Sequence, residues 1–310
     1  MRLAVIDLGT NTFNLLIGET DEAQVFTKIF NTKISVKLGE GSINKGFIAY
    51  IPFQRGINAL KQYQTYLSEY KVEKVVAFAT SGIRSASNGT EFINQAKEIT
   101  GISITVIDGN EEADLIYLGT KWAVKMASHT SLIFDIGGGS NELILANNKT
   151  VFWKQSFLLG AARLLDKFKP SNPLTEKEKN KITAYLKTEF APLLNAIKQF
   201  PPTELIGSSG AFDSVIDMID GKHNTGKTNE IQTEYLIDLK HYHEISELIK
   251  KSTIEKRQNI KGLIEMRVDM MVISCLLIDF IIAECQIKTF KASAYSLKEG
   301  VIFKLLNTRN

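Results

Sequence analysis

Short apolar runs rich in β-branched residues alternate, through the first half of the chain, with segments whose apolar positions recur at helical spacing. The runs "RLAVID" (2–7), "KVVAFAT" (74–80), "ISITVID" (102–108), "SLIFDI" (131–136) and "NELILA" (141–146) predict strands, and the spacing over 52–70, 89–99 and 111–127 predicts amphipathic helices. That alternation predicts an α/β fold with helices covering mixed sheet. The second half is richer in helix. "PSNPLTEKEK" (170–179) reads as a loop entering a helix through a Thr175–Glu178 capping box. Pro192 is expected to kink or end that helix, and Pro201–Pro202 lead into a short strand, "ELIG" (204–207). The polar stretch 220–230 predicts an exposed loop, and 260–285 predicts an apolar helix interrupted by Arg267 and Asp269.

Sliding the chain against itself exposes a repeat. "VIDLGTNTFNLLI" (5–17) superposes without a gap on "IFDIGGGSNELIL" (133–145), placing Asp7 on Asp135, Gly9 on Gly137, Thr12 on Ser140 and Leu15 on Leu143. The match is not complete in chemistry, because Asn14 falls on Glu142. Two related units, each opening with strand, glycine turn and strand, would face each other across a cleft, where small ligands usually bind.

A length of 310 residues agrees with two units, since one core rarely grows past about 250–300 residues. The expected boundaries are 1–124 for the first domain and 125–296 for the second, with a final helix near 297–310 packing back on the first. A net charge of +3 is too small for a dedicated nucleic-acid binder, so any polyanion must be met locally. The two cysteines, Cys275 and Cys285, form no spaced framework, and the most apolar stretch, 270–283, carries Asp279 and is too short to span a bilayer. A soluble cytoplasmic protein with no membrane or nucleic-acid partner is expected; a homodimer stays open, the apolar helix reading as core before dimer contact.

Both glycine turns follow an Asp at the end of an apolar strand. Glycines leave backbone N–H groups open to phosphate oxygens, and Ser140 adds a hydroxyl. A plain hairpin would explain one such turn. Two of them, each with an Asp that needs a partner among apolar neighbours, point to a divalent cation with phosphate. Mg²⁺ takes one or two carboxylates, waters and phosphate oxygens, which suits Asp135 and Glu142. "LIGSSGAF" (205–212) repeats the strand-to-small-residue pattern and would complete a phosphate cradle. The four histidines have no metal-ligand spacing and read as surface residues.

Seven segments in order, "AVIDLGTNTFNLLI", "AFATSGIRSASN", "IDGNEEADLIYLG", "FDIGGGSNELIL", "LLGAARL", "IGSSGAF" and "KGLIEMRVD", resemble the exopolyphosphatase/guanosine pentaphosphate phosphatase family (Ppx/GppA) of the actin, hexokinase and Hsp70 superfamily. The resemblance runs from about residue 3 to about residue 303 and is to the short, two-domain form. It implies two duplicated ribonuclease-H-like domains with an interdomain active-site cleft and exolytic hydrolysis of a terminal phosphoanhydride, with Mg²⁺ or another divalent cation as cofactor. By matched position it makes Glu112 the catalytic base, with Glu142 counted beside it as catalytic, Asp135 and Glu142 the metal-side carboxylates and Asp7 their counterpart in the first loop. Arg84 becomes a phosphate-binding arginine. The phosphate cradle would comprise Gly9, Thr10, Asn11 and Thr12, then Gly137, Gly138, Gly139 and Ser140, then Ser208, Ser209 and Gly210, with Arg267 and Lys298. Glu111 reads as a helix-dipole partner, with Asn110 as N-cap. Lys298 stands where the family commonly has arginine, and Asn141 where it often has threonine.

The expected substrate is inorganic polyphosphate, with guanosine pentaphosphate (pppGpp) as the alternative, since both end in the same anhydride. A kinase or ATPase of the same superfamily is disfavoured because no acceptor-substrate motif is evident. A non-catalytic alarmone sensor would gain nothing from a general base beside a phosphate.

Overall fold

The computed structural model describes residues 1–21, 25–226 and 232–307. The first half builds β1 (Arg2–Leu8), β2 (Thr12–Thr20), β3 (Phe26–Ser35), α1 (Tyr50–Glu69), β4 (Lys74–Ala79), α2 (Ser81–Arg84), α3 (Gly89–Thr100), β5 (Ile104–Val106) and α4 (Gly109–Ala123). The second half builds β6 (Ser131–Ile136), β7 (Asn141–Ala146), β8 (Val151–Phe157), α5 (Ala161–Phe168), α6 (Glu176–Glu189), α7 (Ala191–Gln199), β9 (Glu204–Ser208), α8 (Gly210–His223), β10 (Glu234–Ile237), α9 (Leu239–Lys250), α10 (Ile254–Gln258), α11 (Met271–Cys285), β11 (Thr289–Ser293) and α12 (Leu297–Asn307).

The strands form two sheets, ordered β3-β2-β1-β4-β5 and β10-β11-β9-β6-β7-β8. Read outward from β8, the second sheet repeats the first position for position: an antiparallel meander of three strands, two parallel additions, then the extra antiparallel strand β10. The fold is therefore two ribonuclease-H-like α/β units of one topology. Strands β6 and β7 are buried on every residue, which is why they read as unbroken apolar runs.

Strand alternation sorts the side chains into layers. In β1, Ala4, Ile6 and Leu8 point away from the second unit, against Phe13, Phe53, Leu60 and Phe92. Leu3 and Val5 point the other way, into a core shared with Ile133, Ile144 and Ile206 of the second sheet and with α4 and α12. The third core lies on the outer face of the second sheet, beneath α8 and α11. By the same parity Asp7, Asn14, Asp135, Glu142 and Ser208 all belong to the shared middle layer.

Helix α12 runs back from the end of the second sheet and packs on α4 and β1. Their approach is close because a glycine stands on each side. A Cβ at Gly300 would lie 1.9 Å from the Leu115 carbonyl oxygen, and one at Gly119 would lie 2.1 Å from that of Ser296.

Several expectations shift in detail. The run 102–108 yields only the three-residue β5. The N-cap of α4 is Asp108 rather than Asn110; its carboxylate accepts from the backbone N–H groups of Asn110 and Glu111, because the helix starts one residue before Asn110. The capping box at Thr175 and Glu178 forms, and Pro192 opens α7 after α6 has ended at Glu189. Arg267 and Asp269 do not interrupt a helix, since α11 begins only at Met271 and Arg267 sits in a preceding 3-10 turn. The polar stretch 220–230 is helical through His223, and its residues 227–230 lie outside the described residues. Cys275 and Cys285 are buried free thiols.

Candidate active site

The two glycine turns are closed by the same hydrogen bond. Gly9 N–H donates to the Thr12 carbonyl at 3.2 Å, and Gly137 N–H to the Ser140 carbonyl at 3.0 Å. Across the strands they join, Asp7 pairs with Asn14 and Asp135 with Glu142. The register thus reproduces the sequence repeat residue for residue. The loops also touch: a Cβ at Gly139 would lie 2.3 Å from Thr10 Oγ1 and 2.9 Å from Ser81 Oγ, so only glycine lets the two units meet there. At the third loop Ser209 adopts φ 74° and ψ 176°, a conformation costing a serine on the order of 1–3 kcal/mol, held by a 3.1 Å bond from its Oγ to the Ile136 carbonyl.

Between the units lies a cleft of about 1010 Å³. Its wall contains Asp7, Glu112, Asp135 and Glu142, both glycine loops from Gly9 to Thr12 and from Gly137 to Ser140, and Ser209, Gly210, Arg267 and Lys298. Two expected residues stand behind that wall. Ser208 is buried on β9 next to Asp135, and Arg84 sits behind the wall residue Glu112, donating to its Oε2 at 3.0 Å and to the Ile107 carbonyl at 2.7 Å.

Glu112 lies in the first turn of α4, so the helix that fills the middle layer delivers its carboxylate between the two sheets. Burial pushes its pKa well above the ordinary range, the neighbouring Glu142 pushes the same way, and Arg84 opposes both. Glu142 is raised to about 7 by burial and then by Asp135, against hydrogen bonds from Ser156 and Ser140. Asp7 is raised to about 6, again mainly by burial, with Lys298 and the 3.1 Å bond from Asn14 Nδ2 holding it down. Asp135 is likewise raised by burial and restrained by Ser296, whose hydroxyl donates to its Oδ2 at 2.7 Å. Four carboxylates are thus gathered where none is comfortable as an anion without a positive partner.

Ser156 and Ser296, which no sequence motif marks, hydrogen-bond the cleft carboxylates Glu142 and Asp135. Ser156 faces Glu142 across β7 and β8 and donates to its Oε1 at 2.7 Å. Asn141, in place of threonine, is fully buried and ties β7 to the Leu159 carbonyl at 2.7 Å through Nδ2. Lys33 and Asp213 also line the cleft and carry no motif that would have marked them.

The donor set suits a hard divalent cation. Buried carboxylates with raised pKa values would be relieved by one, and the buried Ser81 Oγ, in the cleft wall, has no hydrogen-bond partner among the described residues. Asp7, Asp135 and Glu142 do not form a closed cage: the described residues hold no group of three or more His, Cys, Asp or Glu side chains able to bind one ion together. A cation here would therefore rely on one or two carboxylates and on phosphate oxygens, the habit of Mg²⁺.

The sequence matches the Ppx/GppA phosphatase family over residues 16–309. The chain belongs to that family. Among curated relatives, a putative exopolyphosphatase of Haemophilus influenzae is 26% identical over 98% of this chain and 91% of its own length. A guanosine-5'-triphosphate,3'-diphosphate pyrophosphatase of Aliivibrio fischeri is 30% identical over 70% of this chain but only 43% of its own. Among solved structures, an exopolyphosphatase from Cytophaga hutchinsonii superposes with a TM-score of 0.96 at 39% identity, covering 99% of this chain and 98% of that one. A family member from Aquifex aeolicus, 22% identical over 100% of this chain and 99% of its own, shares the fold with a TM-score of 0.80. As a Ppx/GppA phosphatase the chain is an enzyme that hydrolyses phosphoanhydride bonds. No helix among the described residues is long and apolar enough to cross a membrane.

Proposed function

We infer that the chain is an exopolyphosphatase: it removes the terminal phosphate of inorganic polyphosphate as orthophosphate. The observation that carries this reading is the carboxylate of Glu112, buried in the cleft between the paired glycine loops. The near end-to-end match to the putative exopolyphosphatase, against the partial match to the pyrophosphatase, supports polyphosphate over guanosine pentaphosphate.

In this mechanism the terminal phosphate rests on the backbone N–H groups of the loops, with the hydroxyls of Thr12, Ser140 and Ser81 near it. Asp135 and Glu142 would hold a Mg²⁺, which would supply neutralisation of charge on the phosphate oxygens. Glu112 takes a proton from the attacking water as the water oxygen bonds to phosphorus; the bond from that phosphorus to the bridging oxygen breaks, and the oxygen leaves with its electron pair on the shortened chain. Little covalent help is needed, so positioning and charge carry most of the rate. The Arg84 guanidinium favours the ionised form of Glu112 against burial and aims its carboxylate; that role, rather than direct phosphate binding, suits its 3.0 Å bond.

Purified protein with Mg²⁺, given polyphosphate, guanosine pentaphosphate and ATP in parallel, should release phosphate from polyphosphate most rapidly. The Glu112→Gln variant should lose about 10²–10⁴-fold in kcat. Preference for guanosine pentaphosphate would replace the substrate, activity on ATP alone would remove the exopolyphosphatase reading, and full activity in the variant would remove Glu112 as base.

A further inference from the structure

The duplicated sheets place one row of three side chains on each side of the cleft, and the two rows differ in charge. In the second unit the row is Ser156, Glu142 and Asp135. The equivalent row of the first unit is Lys33, Asn14 and Asp7. Lys33 thus stands where the second unit has the serine that supports Glu142, two strand spacings, roughly 10 Å, from Asp7. It lines the cleft opposite Arg267; burial, then Arg267 and Lys298, depress its pKa, while Asp213 opposes them.

Arg267 approaches the first turn of α8 so closely that a Cβ at Gly210 would lie 1.4 Å from its Nη2. Among the described residues none of Lys33, Arg267 and Lys298 is in salt-bridge contact with a carboxylate. Asp213 acts on all three and Asp217 on Lys33 and Arg267, while Lys298 is balanced first by Glu299 and Asp7; Lys33 and Arg267 therefore face one cleft with no carboxylate among the described residues in direct contact. An anion lying between the units, beyond the carboxylates that surround the attacked phosphate, would give both cations a direct partner.

We propose that Lys33 is a substrate-positioning residue which, with Arg267 across the cleft, holds a phosphate further along the chain than the one being cleaved. The assignment rests on the exopolyphosphatase reading, and it adds a residue of the first unit to the grip on inner phosphates. A substrate bound in this way spans both units, and Lys33 contributes to capture rather than to the bond-breaking step.

The test separates inner from terminal contacts. In the Glu112→Gln background with Mg²⁺, tripolyphosphate and orthophosphate are titrated calorimetrically into protein with Lys33, Lys33→Gln and Lys33→Arg. Removing a charge-assisted hydrogen bond should weaken tripolyphosphate roughly tenfold, leave orthophosphate within about twofold, and be largely restored by arginine. In the active chain, Lys33→Gln should raise KM for polyphosphate by a similar factor with kcat within about twofold. Unchanged tripolyphosphate affinity, or an equal loss for orthophosphate, overturns the proposal. If the wild-type protein releases no phosphate from polyphosphate, the functional reading fails, while the titration still decides the place of Lys33.

Discussion

Arg84 donates from Nη1 to Glu112 Oε2 at 3.0 Å, with Glu112 almost fully enclosed and Arg84 partly open to solvent. In the proposed mechanism the pair sets the charge of the base. Burial and Glu142 raise the pKa of Glu112, and Arg84 is what opposes them. A base must be ionised to accept a proton, so activity should rise with pH through the raised pKa. Replacing Arg84 by Gln removes the opposing charge and lets that pKa climb further. The acidic limb of the kcat/KM profile should move to higher pH, with a larger loss at pH 6 than at pH 9. A loss of equal size at every pH would instead place Arg84 on the substrate.

Gly300 links packing to the cleft. A methyl group there meets the Leu115 carbonyl at 1.9 Å, a backbone atom that cannot swing aside, so α12 must move off α4. Overpacking of this kind costs about 1–3 kcal/mol. Gly300→Ala should lower Tm by several degrees. Because Ser296 and Lys298 lie at the start of α12, the same substitution should also lower kcat/KM. Thermal melts and steady-state kinetics on one preparation check both.

The capping box of α6 stands apart from the chemistry. Glu178 accepts from the Thr175 N–H and hydroxyl and from Ser171, which pull its pKa down to about 2. A depressed carboxylate contributes stability above its unfolded value near 4.5 and loses it as pH falls towards 2. Its exposure limits that share to tenths of a kcal/mol. Thr175→Ala should cost about 1 kcal/mol at pH 7 and less at pH 3, with kcat and KM unchanged. Differential scanning calorimetry at the two pH values measures it.

The sequence repeat was legible because it is written in residue types that only a strand, tight turn and strand can use, and β6 and β7 fall where their apolar runs begin and end. Helix ends and cross-chain partners were less so. Asp108 takes the N-cap two residues before the expected Asn110 because helix start depends on backbone geometry that several polar neighbours could satisfy. Ser296 reaches Asp135 across 161 positions, and no local pattern announces such a meeting. Lys33 hides in β3, whose "FTKIFNTKIS" shows one packed face, Phe30 and Ile34, and a polar face that resembles ordinary solvent exposure until the second unit is in place. The motif position of Arg84 suggests a phosphate ligand, and its contact with Glu112 is not visible in the sequence.

Glu142 supplies the clearest measurement of what the cleft holds. Its folded pKa, about 7, lies above the ordinary 4.5, so the folded state binds this proton more tightly than the unfolded chain. The associated stability is complete below 4.5 and is lost as pH rises through 7. In metal-free protein at pH 8, Glu142→Gln should therefore be more stable than wild type, by on the order of 1–3 kcal/mol, because the introduced amide keeps an acceptor for Ser156 and carries no charge beside Asp135. The advantage should vanish near pH 5. Mg²⁺ reverses the comparison: it should raise the Tm of wild type at pH 8 by relieving Glu142 and Asp135, and raise that of the variant much less. Equal stabilisation of both proteins by Mg²⁺ would show that the ion binds elsewhere, and a variant less stable than wild type in EDTA would show that Glu142 is already neutralised by its protein neighbours.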